Sequence, residues 1–284
     1  VINNIVDEEK IRKSNMDLGI VTVSVTDLKP MELYKEDIPQ GMIPDYLMAS
    51  ANIPVFKIEP IDGKYFIDGA FYDNLPVNLL ARKGYDEIIA VRTLAVGLTR
   101  KLENPNVKVT NIIPSDSLGS VLNFDNAQIK TNLAMGYFDA LKVLKNLSGR
   151  KYYIRPENKD TFLQKMISVP EESIMKIGNL MHIPDMEPRR MLFEKIYPAL
   201  AEYLDIPLGE GHQDITIGLF ESMAESRGIY KYRIREFNEL TEEIWNSKPK
   251  PPGNRNIKKL FSPLSDEKIL NSVGEEILST FANK

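Results

Sequence analysis

Two hydrophobic periods alternate along this chain, and the place where one gives way to the other divides it. An apolar VINNIV opens the chain, and the charged stretch Asp7–Lys13 then reads as a short helix. Gly19–Thr26, GIVTVSVT, is β-branched and alternates at period two, the pattern of a strand. Asp27–Pro30 closes it, and Glu32–Tyr34 adds a short extended piece before the IPQG turn at 38–41. Tyr46, Leu47 and Ala49–Ser50 fit a helix whose small residues permit close approach, with Ser50 as a polar group at its packed end. Val55–Ile58 and Lys64–Ile67 flank Asp62–Gly63, a hairpin signal that leaves Asp62 exposed in the turn. The second of these strands breaks into the polar turn Asp68–Gly69–Ala70. Asp73–Asn74 follows, and Pro76 opens a helix to about Lys83, which Gly84 ends. DEIIAVRT, 86–93, is nearly continuous in apolar residues and predicts a strand covered on both faces. Helix then strand across 76–93 is half of a βαβ unit, and 107–113 is a third strand, stopped by Pro114.

Beyond this point the helical period takes over. Asp125 caps the longest predicted helix, 125–147, with Gln128 at the capping-box position. Leu133, Tyr137, Leu141 and Leu144, at spacings of four, four and three, make a continuous apolar stripe of the kind that faces a core. Further helices are predicted at 160–168, 171–179, 188–203, 213–226, 233–246, 255–260 and 266–281, with KPKPPGN at 248–254 as a linker or sharp turn. The fold class expected is α/β: a layered sheet core over 1–154, followed by a mainly helical extension or cap over 155–284.

Composition narrows the chemistry. The 284 residues are 43% hydrophobic and 27% charged, an ordinary globular balance. A net charge of −4 with no basic block argues against nucleic acid as a partner. No apolar run approaches the length of a membrane-spanning helix, and nothing resembles a signal peptide. Cysteine is absent, and the two histidines, His182 and His212, stand far apart near polar turns and read as structural or exposed. No metal is therefore expected. No cofactor is expected either, since neither GxGxxG nor GxxxxGK[ST] occurs. No serine stands two residues after any glycine, so the GxSxG elbow of a serine hydrolase is not in these residues. What remains is Asp68, at the end of the strand YFI and followed at once by Gly69. Gly69, without a side chain, lets another group approach closely or takes an unusual backbone angle. Two readings of Asp68 stand open: an Asx turn that ends a strand, or a catalytic carboxylate. Asp73 and Asn74 read as turn and helix-start residues, with Asn74 able to hold the loop through backbone hydrogen bonds.

ASANIPVF at 49–56, then Asp68-Gly69-Ala70, then Asp73-Asn74-Leu75-Pro76, resembles the second half of a patatin-like phospholipase domain. Residues 112–144 also resemble the tail of bacterial proteins of this family, so the resemblance covers roughly 1–150. It implies an acyl hydrolase with a Ser–Asp dyad acting on a lipid or ester substrate. Asp68 would be the base, with Gly69 and Asn74 in the supporting loop. It further implies a bacterial, cytoplasmic protein with peripheral membrane contact as an option. The family's glycine-rich oxyanion loop and GxSxG serine precede the strand at 19–26, and neither is present here. The expectation is thus a carboxy-terminal portion, inactive alone, that needs an N-terminal segment carrying serine and oxyanion loop. The alternative is a non-catalytic interaction or regulatory module. Asp68 is expected on the floor of a cleft beside Gly69 and residues 49–54. That cleft would be open and apolar where the other segment packs, a surface that also favours a homodimer.

Overall fold

The structure is a computed structural model and describes residues 2, 5–54, 59–120, 123, 125–207, 211–247 and 266–282. The first hairpin strand (55–58), the helix at 255–260 and the linker at 248–254 lie outside the described residues. The chain mixes helix and sheet and divides into two compact units, 1–114 with 118–123 and 115–117 with 124–284.

In the first unit the leading helix α1 (Glu8–Lys13) is capped by Asp7, whose carboxylate accepts from the Lys10 amide. Its side chains tie down the turn that precedes the next helix. Glu8 accepts from the Gly41 and Ile43 amides, and Arg12 donates to the carbonyls of Lys35, Ile38 and Pro39. Strand β1 (Gly19–Ser24) lies between β2 (Lys29–Tyr34) and β3 (Phe66–Asp68), antiparallel to both. The extended piece expected at 32–34 is longer than its pattern suggests. It begins at Lys29 and includes Pro30, which an edge strand tolerates because no partner needs its missing N–H. Helix α2 (Ile43–Ala49) packs Ile43 with Ile20 and Ile38 in a small core. The hairpin turn forms as expected. Asp62 and Gly63 take φ of 48° and 75°, and Ile61 pairs with Lys64.

Helix α3 (Val77–Arg82) follows, then β4 (Glu87–Val91) and β5 (Lys108–Ile112), which pair in parallel. Two expectations fail here. Helix then strand forms over 76–93 as α3 and β4, but among the described residues β4 pairs with β5 and not with β3, which lies in the separate sheet β2-β1-β3, so the half βαβ unit is not completed there. The IIAV run is also not covered on both faces. Ile88 and Ala90 are buried, whereas Ile89 and Val91 are 56% and 64% exposed, so the strand alternates as a one-sided sheet does.

The second unit begins its helices with α4 (Asn126–Leu144), capped by Asp125 accepting from the Gln128 amide. The expected division at 154/155 falls inside this unit, because α4 is bonded into it. Asp139, fully buried, accepts from the Ser115 amide and the Tyr153 hydroxyl. That choice of face reverses the expected stripe. Met135 and Asp139 turn inward, four residues apart, and Leu133, Tyr137 and Leu144 stand outward with Leu141 half-buried. Strand β6 (Tyr153–Ile154) pairs in parallel with β7 (Ile234–Arg235), a short ladder that the sequence pattern did not show.

The helices α5 (Lys159–Ile167), α6 (Glu171–Leu180), α7 (Pro188–Met191), α8 (Tyr197–Tyr203), α9 (His212–Arg227), α10 (Phe237–Asn246) and α11 (Asp266–Ala282) match the predicted stretches closely. The predicted helix 188–203 is interrupted by a π-helical segment, Leu192–Ile196. Pro198 explains it: the ring lacks an N–H and crowds the carbonyl four residues back, so the helix widens. These elements bury one large core around α9, including Phe220, Met223, Phe237 and Leu240. Within it Glu221 accepts from the consecutive amides of Arg150, Lys151 and Tyr152, and burial pushes its carboxyl above the ordinary range despite those three donors.

Candidate functional site

Asp68 ends β3, the strand that lies against the middle strand of its sheet. Its amide donates to the Asn52 carbonyl at 2.9 Å, which joins it to the 49–54 run as the motif spacing predicts. Its Oδ1 accepts from the Ala70 amide at 2.8 Å and caps a short 3-10 turn, Gly69–Phe71. The half-buried carboxylate therefore has one oxygen anchored, while Oδ2 makes no hydrogen bond with any described residue. The Asx-turn reading is correct as geometry, and it leaves the second oxygen available.

Gly69 has no room for a side chain. A Cβ there would lie 2.3 Å from the Val21 carbonyl oxygen and 2.8 Å from its carbon, both in β1. The close approach anticipated for Gly69 is thus the backbone of the neighbouring strand. It lets the chain turn at Asp68 while the turn stays pressed against the sheet.

The loop that leads from β4 to β5 then closes over the motif. Leu98 donates its amide to the Ala70 carbonyl at 2.9 Å and accepts from the Asn74 amide at 2.6 Å. The Asn74 side chain donates to the Ala95 carbonyl at 3.1 Å, so the loop that it holds through a backbone group is the one between β4 and β5. Asn78 extends the seam, donating to the Lys101 carbonyl and accepting from the Glu103 amide. Gly97 fits because a Cβ would meet Asn74 at 2.9 Å. Sequence reasoning missed this loop. Its only signal is the Leu-Ala-Val-Gly-Leu run, which has no strand or helix period.

Asp73 is more deeply placed than a turn residue should be. It is 2% exposed, and its Oδ1 accepts from the amides of Leu75 at 3.2 Å and Arg100 at 3.4 Å. Its Oδ2 is buried without a partner. Ser50 caps the end of α2, its hydroxyl donating to the Leu47 carbonyl, as the structural reading requires. His182 takes a left-handed φ of 55° after α6, and His212 packs edge-on against Phe193 and Tyr197; neither stands near Asp68 in sequence or in the same unit.

Clefts among the described residues of this unit include two that bear on the motif. One, about 540 Å³, runs between α2 and the hairpin and reaches Asn52 and Phe66. Phe66 shares a strand face with Asp68, two residues on, but the lining stops short of Asp68 itself. The other, about 200 Å³, is lined by Gly19 with apolar residues of α3 and β4, among them Leu79 and Ile88. No cluster of three metal-ligating side chains occurs among the described residues. No helix among them is long and apolar enough to cross a membrane.

A match to known families covers this motif: residues 3–81 match the patatin-like phospholipase family. This part of the chain is similar to that family. The matched segment spans α1 and most of α3 and contains Asp68, Gly69 and Asn74; the wider resemblance expected to about residue 150 is not included in it. No curated protein matches the chain. The family is one of lipid hydrolases, which agrees with the class of activity expected from the motif.

Proposed function

We propose that Asp68 is the carboxylate of a Ser–Asp dyad in a lipid acyl hydrolase of phospholipase or lysophospholipase type, whose serine and oxyanion donors lie outside these 284 residues. The observation that carries this reading is the divided carboxylate of Asp68: Oδ1 is fixed by the Ala70 amide, and Oδ2 has no donor among the described residues, at the end of a braced strand. A carboxylate held by one oxygen keeps its orientation and can accept a proton at the other.

The serine hydroxyl would attack the ester carbonyl while Asp68 takes its proton. That proton passes to the departing alcohol or lysolipid as the C–O bond breaks, leaving an acyl-enzyme. Water then attacks the acyl carbon, giving its proton to Asp68, which returns it to the serine as the fatty acid leaves. Gly69 and Asn74 act as positioning residues, one by lying against β1 and the other by holding the 95–98 loop. The substrate is a lipid or other ester, and the partner is an N-terminal segment that supplies the serine; a homodimer would be a second way to cover the apolar cleft at α3 and β4. No cofactor and no metal enter the chemistry.

The alternative, a non-catalytic patatin-like module, draws on one feature. The Asp68–Ala70 bond is also a sufficient structural cap, worth about 1 kcal/mol. Fatty-acid release from phospholipid vesicles by the protein read from its upstream coding segment, compared with its Asp68→Ala variant, separates the two. Release that vanishes in a folded D68A protein supports the dyad, and equal release in both rejects it.

A further inference from the structure

We propose that the loop from β4 to β5 is a docking element for an anionic lipid bilayer, with Leu94, Val96 and Leu98 as its apolar anchor. This rests on the lipid-hydrolase reading above for its biological sense, though not for its physical basis. The three side chains are 64%, 100% and 62% exposed, and Phe71, next to the Ala70 carbonyl that Leu98 bonds, is 53% exposed. A loop normally carries polar residues at its tip. Here Val96, near the middle of the loop, is fully exposed.

The tip is held in place on the protein side. Backbone bonds from Leu98 to Ala70 and from Asn74 to Leu98, the Asn74 side chain on Ala95 and the Asn78 side chain on Lys101 pin it on both flanks. Docking would therefore order little additional chain, which removes the usual entropic opposition to a loop inserting its side chains. A loop that only filled space would not need four such ties.

Charge selects the occupant. Residues 88–102 contain Arg92, Arg100 and Lys101 and no Asp or Glu. The Lys101 ammonium and Arg92 guanidinium pair with no described acid. Arg100 lies over the Tyr72 ring at 4.7 Å, with Glu103 at 3.8 Å as its nearest acid. Glu103 is also engaged by Arg82. Apolar tips with basic flanks and an amphipathic tyrosine at their edge match the layering of a bilayer surface: acyl chains, then headgroups that carry negative charge. Because Leu98 is bonded to the turn that Asp68 caps, the docked membrane would meet the protein beside the proposed dyad.

The test is co-sedimentation of this chain with phosphatidylcholine vesicles, with and without phosphatidylglycerol. The expected result is binding to the phosphatidylglycerol vesicles, weakened at least ~10-fold by Val96→Asp and weakened at low but not high salt by Lys101→Glu. Leu133→Gln, on the outward face of α4, is the control and leaves binding unchanged. V96D alters a fully exposed side chain, and an unchanged circular dichroism melt verifies its fold. Failure of the folded wild type to sediment overturns the proposal, as does equal binding by V96D. A V96D protein that changes from dimer to monomer while still binding vesicles overturns it in favour of a contact between copies. Vesicle binding needs no nucleophile, so its failure leaves the dyad untouched. Hydrolysis by the longer protein that is unchanged in its Asp68→Ala variant, with intact vesicle binding, would count against the dyad alone.

Discussion

Replacing Gly69 by alanine asks whether the Asp68 turn depends on close contact with β1. The added methyl carbon would stand 2.3 Å from the Val21 oxygen, 2.8 Å from its carbon and 3.1 Å from its Cβ. An ordinary carbon–oxygen contact is about 1 Å longer than the first of these, so something must move. Val21 cannot yield easily, because β1 is hydrogen-bonded to a strand on each side. The turn must lift instead. That strains the Asp68–Asn52 bond and the Leu98–Ala70 bond, each worth about 1 kcal/mol. Overpacking of this kind costs about 1–3 kcal/mol by itself, so the loss reaches about 3–5 kcal/mol on the first unit if both bonds break. Gly63→Ala is the reference, since its φ of 75° strains an alanine but no atom lies within 4 Å of the new carbon. It should cost about 1 kcal/mol. The assay is urea unfolding together with hydrogen exchange at the amides of Asp68 and Leu98. Faster exchange at both in Gly69→Ala, and not in Gly63→Ala, is expected. A Gly69→Ala protein no less stable than Gly63→Ala, with both amides still protected, would refute the reasoning.

Two further substitutions probe buried carboxylates. Asp73→Ala removes the acceptor for the Leu75 and Arg100 amides and should cost about 2 kcal/mol, whereas Asp73→Asn keeps that acceptor at Oδ1 and replaces the unpartnered oxygen, and should cost under about 1 kcal/mol; equal losses by thermal melting would contradict this. Burial holds Glu221 above its ordinary value of 4.5, so the folded state binds more protons than the unfolded one. The stability this group contributes is full below that value and is lost as pH rises through the raised folded pKa. Glu221→Gln cannot titrate, so its deficit in unfolding free energy relative to the parent should narrow from about pH 4 to pH 8, and a deficit that widens would reverse the sign assigned to burial.

The motif itself was legible because its constraints are local. A strand that ends in Asp-Gly, followed by a turn and a proline before α3, encodes its cap, its close approach and its helix start within nine residues. The helices of the second unit were legible for a similar reason: caps and prolines mark their ends, and even the π segment answers to one residue, Pro198. Long-range choices were not. Nothing around Lys29 says that β2 will pair with β1, and Pro30 argues against a strand until the edge position is known. An apolar run such as IIAV reports hydrophobicity but not how many faces are covered. In α4 the periodic stripe was real but turned outward, because one polar residue, Asp139, was needed inside by Ser115 and Tyr153. The 94–103 loop was invisible because it is held through its own backbone groups, by Asn74, Asn78 and Ala70 of a distant segment, and nothing in the loop's side chains marks those partners.

In the proposed dyad Asp68 works as a base through the oxygen that no described residue binds. The most direct test of that role is the rate of fatty-acid release from a phospholipid by the protein read from its upstream coding segment, with aspartate or asparagine at position 68. Asparagine keeps the Oδ1 bond to the Ala70 amide and so keeps the turn, but it cannot take a proton. A folded D68N protein with an unchanged melting temperature and hydrolysis reduced at least ~100-fold is expected. Hydrolysis within about twofold of the parent would contradict it.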